Sequence, residues 1–130
     1  IGNNIMRFLL DVIHYGEKVS ERSISADVEF CCRYIEQQIF QSVYIADLAA
    51  MINLSESRFK HKFKEEMGIP PNEYILSQKL NKAKELLKNT EISFTDLAYD
   101  LGFSTSSYFS SVFKKYQGVT HTEYRSKINN

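Results

Sequence analysis

Apolar residues recur along most of the chain at intervals of three and four, the spacing that lines one face of a helix. Ile5, Phe8, Leu9, Val12 and Ile13 form such a stripe and predict a first helix over residues 4–15. Residues 16–25 read as a polar connector carrying Ser20, Ser23 and Ser25. A longer helix is predicted over residues 27–41, with Asp27 near its start. No segment sustains the alternation of a half-buried strand, and the two prolines stand side by side at Pro70-Pro71. The expected fold class is all-α.

The apolar pattern also repeats. Ile45-Ala46-Asp47-Leu48-Ala49 returns as Phe94-Thr95-Asp96-Leu97-Ala98, shifted by 49, and Leu54-Ser55 returns as Phe103-Ser104 at the same shift. Phe59, Phe63, Lys64 and Gly68 return as Phe109, Phe113, Lys114 and Gly118, now shifted by 50, so one residue is inserted within the second copy. Each copy predicts a short helix (residues 45–52 and 94–101), then a tight turn at Asn53-Leu54 or Gly102-Phe103. A second helix follows in each, capped by Ser55 or Ser104 and ended by Gly68 or Gly118. Helix, tight turn, helix is the helix-turn-helix grammar. Between the copies, Leu76, Leu80, Ala83 and Leu87 predict a helix over residues 72–88, a rod of about 25 Å. Such a rod could hold two second helices apart by the order of one DNA turn, about 34 Å.

Charge changes the picture only when it is mapped. The chain has 16 basic and 16 acidic groups and no formal net charge. Residues 1–54 and 89–103 each carry net −3, whereas residues 55–88 and 104–130 each carry net +3. Both basic blocks contain the second helix of a copy. With the core positions removed, the first such helix leaves Glu56, Ser57, Arg58, Lys60, His61, Lys62 and Lys64 for solvent. Cationic donors of this kind suit phosphates and the guanine O6/N7 edge. The second leaves Thr105, Ser106, Ser107, Ser110 and Ser111, followed by Lys114 and Lys115. Its hydroxyls permit close approach but discriminate bases weakly, and its lysines would hold phosphates.

In order and spacing, three stretches resemble the signature of AraC/XylS-type transcription regulators. They are Ile92 through Ala98, Leu101-Gly102-Phe103-Ser104, and Ser107-Tyr108-Phe109 with Val112-Phe113-Lys114-Lys115, Gly118 and Glu123-Tyr124-Arg125. The likeness runs over residues 27–128. It implies two helix-turn-helix subdomains joined by a long central helix and reading successive major-groove faces of double-stranded DNA. It also implies contact with RNA polymerase in many members. The family's base-contacting places fall on Ser57, Lys60 and His61, and on Ser106, Ser107 and Ser111. Arg58, Lys64, Lys114 and Lys115 complete the expected DNA-binding set. The chain departs from the family at Ser111, where arginine is common, and at His121, where proline usually opens the last helix.

Residues 1–24 are expected to be the tail and linker of an upstream regulatory or dimerisation domain, where an effector would bind. Residues 25–88 and 89–130 would form the two units. No apolar run is long enough to span a membrane, and a cytoplasmic location is expected. The adjacent Cys31 and Cys32 read as reduced thiols, one of them buried. The scattered His14, His61 and His121, and the lack of a Gly-rich phosphate loop, predict no enzyme, no cofactor and no metal. The rival reading is a helical adaptor that binds a protein partner through acidic faces around Asp47, Glu91, Asp96 and Asp100.

Overall fold

The computed structural model describes residues 24–129, and within them seven helices follow one another. They are α1 (Ala26–Gln37), α2 (Ile45–Met51), α3 (Glu56–Met67), α4 (Pro71–Asn89), α5 (Phe94–Asp100), α6 (Ser106–Gln117) and α7 (His121–Asn129). Among the described residues there is no strand, as the apolar spacing requires. The helix expected over residues 4–15 and the upstream tail and linker lie outside the described residues.

Two cores form, one for each copy of the repeat. In the first, α3 packs on α1, α2 and α4, and Val28, Cys31, Ile35, Leu48, Ala49, Phe59 and Phe63 are buried together. In the second, α6 packs on α5 and α7, around Leu97, Ala98, Leu101, Phe103, Phe109 and Phe113. The central α4 is shared. Tyr74 and Ile75 near its start join the first core, and Leu80, Ala83 and Leu87 further along join the second. Its 19 residues make a rod of about 28 Å. Buried on the same helix, between the two apolar sets, are Ser77 and Lys79.

The repeat extends to single hydrogen bonds. Asn53 (φ 59°) and Gly102 (φ 79°) hold the same left-handed corner. The next amides, Leu54 and Phe103, donate to Ala49 O and Ala98 O, both at 3.0 Å. Ser55 caps α3 by accepting from the Arg58 amide. The expected cap Ser104 is not the cap of α6: Thr105 is, accepting from the Tyr108 amide at 3.0 Å. The inserted residue therefore falls before the cap, and Thr105 is the counterpart of Ser55 at the shift of 50.

One further boundary differs from expectation for a physical reason. The first described helix ends at Gln37 instead of residue 41, because the carbonyls of Ile39 and Gln41 turn to the Lys79 ammonium. The last helix opens without proline. Thr120 Oγ1 accepts from the Glu123 amide at 3.1 Å while the Glu123 carboxylate accepts from the Thr120 amide at 3.0 Å, a reciprocal capping box. The His121 ring lies flat on Phe94, with centroids 3.5 Å apart.

Candidate nucleic-acid interface

An amphipathic helix packed by one stripe must present its other residues outward, and α3 does so with a charged set. Phe59, Phe63 and Met67 face the core. Ser57, Lys60, His61 and Lys64 are exposed and follow the i, i+3, i+4, i+7 pattern, so they share one face. That row covers about 10 Å of helix, the rise of about three base pairs. Arg58 is also exposed and borders an open cleft of about 610 Å³ with Asp27, Leu54, Ser57 and His61. His61 Nε2 lies 3.3 Å from the Glu65 carboxylate, on an exposed part of the helix.

Lys62 departs from the expected exposed set. Its stem is half-buried and its ammonium sits 3.1 Å from Glu66. Glu66 in turn accepts from the Ser25 amide at 2.8 Å, so the pair ties α3 to the start of α1. Burial alone would raise the Glu66 carboxyl. The Ser25 amide and hydroxyl and the Lys62 ammonium outweigh it and hold that carboxyl below its usual range. The Lys62 ammonium is thus engaged by a carboxylate of its own helix.

The outer face of α6 is chemically different. Ser107, Ser111, Lys114 and Lys115 are exposed at i, i+4, i+7 and i+8, and Ser106 is half-buried. Ser111 Oγ donates to the Ser107 carbonyl at 3.1 Å, which leaves its lone pairs as acceptors. The first turn of α6 has no acidic residue, whereas α3 carries Glu56 there. The amides at the start of α6 therefore face no internal anion. Lys115 lies over the Tyr116 ring at 5.3 Å, and exposed Tyr108 meets Phe103 at the foot of the helix.

Sequence reasoning missed Lys79, which is buried yet cationic. The signal was available: position 79 falls beside Leu76, Leu80 and Ala83 on the apolar stripe of α4, where a lysine needs a reason to be. Among the described residues no cluster of His, Cys, Asp and Glu could hold a metal ion, and no helix is long and apolar enough to cross a membrane. Cys31 is fully buried and Cys32 half-buried, and both are free thiols. Burial pushes them up to about 11 and about 12.

Residues 48–127 match the family profile described as a helix-turn-helix domain. The probable transcriptional regulator LumQ of Photobacterium leiognathi is 35% identical over 92 residues, covering 71% of this chain and 37% of that protein. The C-terminal domain of AraT, a response regulator from Geobacillus stearothermophilus, is 31% identical with a TM-score of 0.76. That match covers 79% of this chain and 86% of that one. A transcriptional regulator with an AraC-type DNA-binding domain from Chromobacterium violaceum is 26% identical with a TM-score of 0.71, covering 78% and 91%. The chain spans between 17% and 40% of the length of the curated relatives it matches.

Proposed function

The chain belongs to the AraC/XylS-type family of helix-turn-helix transcription regulators, whose DNA-binding domain it matches in fold, and we propose that it reads duplex DNA with α3 and α6 in adjacent major-groove faces. One observation carries the reading. At equivalent places in a repeated fold stand two capped helices, one with cations outward and the other with hydroxyls and lysines outward. In this reading Lys60, His61 and Arg58 do most of the direct base readout, with Ser57 beside them. Ser106, Ser107 and Ser111 make close, weakly selective contacts. Lys64, Lys114 and Lys115 hold phosphates, which fix register and make binding depend steeply on salt.

The family is one of DNA-binding regulators and not an enzyme class, and our reading assigns the chain no catalysis. The full-length protein would act in the cytoplasm, bind its effector outside the DNA-binding domain and contact RNA polymerase from the DNA-bound domain. An adaptor role draws on the exposed Tyr44 and Tyr99 beside Asp47 and Asp96. That reading predicts no effect of Lys60 or His61 on partner binding.

The test is selection of sites from randomised duplex, followed by anisotropy titration of the selected site at several salt concentrations. An asymmetric site with two half-elements about 10 bp apart is expected. Lys60→Ala or His61→Ala should cost about 1–3 kcal/mol on that site alone, whereas Lys114→Ala should weaken all sequences alike and reduce the salt slope by about 1. Enrichment of no sequence, with weak binding abolished by modest salt, would overturn the proposal.

A further inference from the structure

A buried ammonium is tolerated only when its donors are bonded, and Lys79 meets that condition with groups from both units. Nζ donates to Ile39 O (2.7 Å) and Gln41 O (2.6 Å), in the turn that follows α1 of the first unit. It also donates to Leu101 O (2.5 Å), at the C-terminal end of α5 in the second. Those three bonds use all the N–H donors a lysine has. The side chain is only 5% exposed. Burial draws its pKa down to about 8, which leaves it charged at neutral pH.

The two backbones touch at the same place. A Cβ added to Gly102 would lie 3.0 Å from both C and O of Gln41 and 3.1 Å from Ser42 N. Gly102 also holds φ at +79°, which L side chains rarely adopt. Ser42 Oγ donates to the Gly102 carbonyl at 3.4 Å. Gly102 is the corner residue of the second helix-turn-helix, four positions before α6 begins. A shift at this contact therefore shifts α6 relative to the first unit. Beyond this contact α4 runs through both cores, and a single helix joining two cores does not by itself fix their mutual rotation.

We propose that Lys79, with the close approach of Gly102 to Gln41 and Ser42, is a latch that sets the spacing and orientation of α6 relative to α3, and hence the half-element spacing the protein accepts. The inference rests on the DNA-reading proposal for its consequence, though not for its geometry. Holding the second unit in place raises its effective concentration at its own half-element, so release of the latch acts on the paired site and not on either half alone.

The test compares the native chain with Lys79→Met, which keeps the stem and removes every donor, and with Lys79→Arg, which keeps charge and donors. Binding is titrated on the selected site, on the same site with one base pair inserted between the half-elements, and on a site with the second half-element scrambled. Native protein should lose about tenfold on insertion. Lys79→Met should bind the intact site about tenfold less well, lose less than about threefold on insertion, and match native within about twofold on the scrambled site. Lys79→Arg should restore the insertion penalty.

Amide residual dipolar couplings without DNA supply the second readout. One alignment tensor should fit both units of the native chain, and two should be needed for Lys79→Met. A single tensor and an unchanged insertion penalty in Lys79→Met would overturn the latch and leave Lys79 a stabilising residue only. If Lys79→Met does not fold, Gly102→Ala leaves the ammonium in place, forces the backbones apart and is judged on the same two readouts. Native protein that selects no sequence would sink the DNA-reading proposal, while the couplings would still decide the latch. Native protein that selects a site yet tolerates insertion would sink the latch alone.

Discussion

Phe59 and Phe109 occupy equivalent places in the repeat and are both fully buried, so replacing each by leucine tests what the second core gains from stacked rings. Phe109 lies between Phe94 (4.4 Å between centroids, planes 1° apart) and Phe103 (4.5 Å, 21°), and meets Phe113 edge-on at 6.3 Å. Phe59 meets Phe63 at 5.7 Å. The first-unit counterparts of Phe94 and Phe103 are Ile45 and Leu54, which pack on that core as aliphatic side chains. A leucine keeps most of the apolar volume, so the cost common to both sites should stay below about 1.5 kcal/mol. Each aromatic pair adds about 0.5–1.5 kcal/mol beyond its buried area. Two additional stacked pairs should then make Phe109→Leu costlier than Phe59→Leu by about 1–3 kcal/mol. Against a domain stability of about 5–15 kcal/mol, both variants remain folded and measurable. The assay is urea unfolding followed through amide resonances of each unit separately, since two cores on one helix need not unfold together. Equal losses at the two sites, or a larger loss at Phe59, would refute the reasoning.

Three other outcomes follow from the structure. The start of α2 has no side-chain cap, because Tyr44 (62% exposed) stands where Ser93 caps α5 by accepting from the Asp96 amide. Tyr44→Ser should raise first-unit stability by about 0.5–1 kcal/mol in urea titration, and no gain would show that the ring packs usefully. The His121 imidazole is held below its ordinary 6.5 by burial and by nearby Arg125. The unfolded chain therefore takes up the proton first as pH falls. The stability that His121 contributes is complete above 6.5 and is lost as pH falls through the depressed value. His121→Phe should flatten the fall in Tm between about pH 7.5 and about pH 5, and superimposable profiles would refute this. Cys31 and Cys32 carry thiols pushed up to about 11 and about 12, so their reaction with a disulfide reagent at pH 8 should be slow and should accelerate with urea in step with unfolding. A fast phase in native protein would contradict their burial.

Most of the fold was legible because one grammar is written twice. Leu48, Ala49 and Phe59 can be checked against Leu97, Ala98 and Phe109, and both sets are buried. The shift from 49 to 50 also located the insertion, but which side of the cap it fell on was decided by backbone geometry. Ser104 and Thr105 are both competent caps by residue type, and only Thr105 has its oxygen in reach of the Tyr108 amide. The exposed faces of α3 and α6 were legible by subtraction of the apolar stripe, and Lys62 shows where subtraction stops. Its position on the wheel reads as solvent, yet Glu66 lies one turn on and is held by an amide 41 residues away. Lys79 failed for the same reason in reverse, because its three acceptors are backbone carbonyls 22 to 40 residues distant, which no local pattern encodes.

The two units differ in a way that binds the reading helices to their supports. In the proposed reading, the lysines and arginine on α3 are long, and several χ angles let them find an acceptor after the helix has docked. Serines on α6 reach only a short distance, so a displacement of about 1 Å is enough to lose their bonds. A hydroxyl reader must therefore be placed by its scaffold. The second unit is the one whose core is a column of rings, from His121 through Phe94 and Phe109 to Phe103, with neighbouring centroids 3.5 to 4.5 Å apart. It is also the unit whose corner glycine is pressed against the first unit beneath Lys79. Flexible side chains stand on the core whose rings meet only tilted or edge-on, and short ones on the stacked core. On this argument the stiffness around α6 does for binding what the length of the side chains does on α3. Exchanging Ser111 for a longer donor should accordingly reduce the dependence of binding on Lys79, a coupling that a double-mutant cycle on the selected site would measure. Additive losses would show that the scaffold and the short side chains act independently.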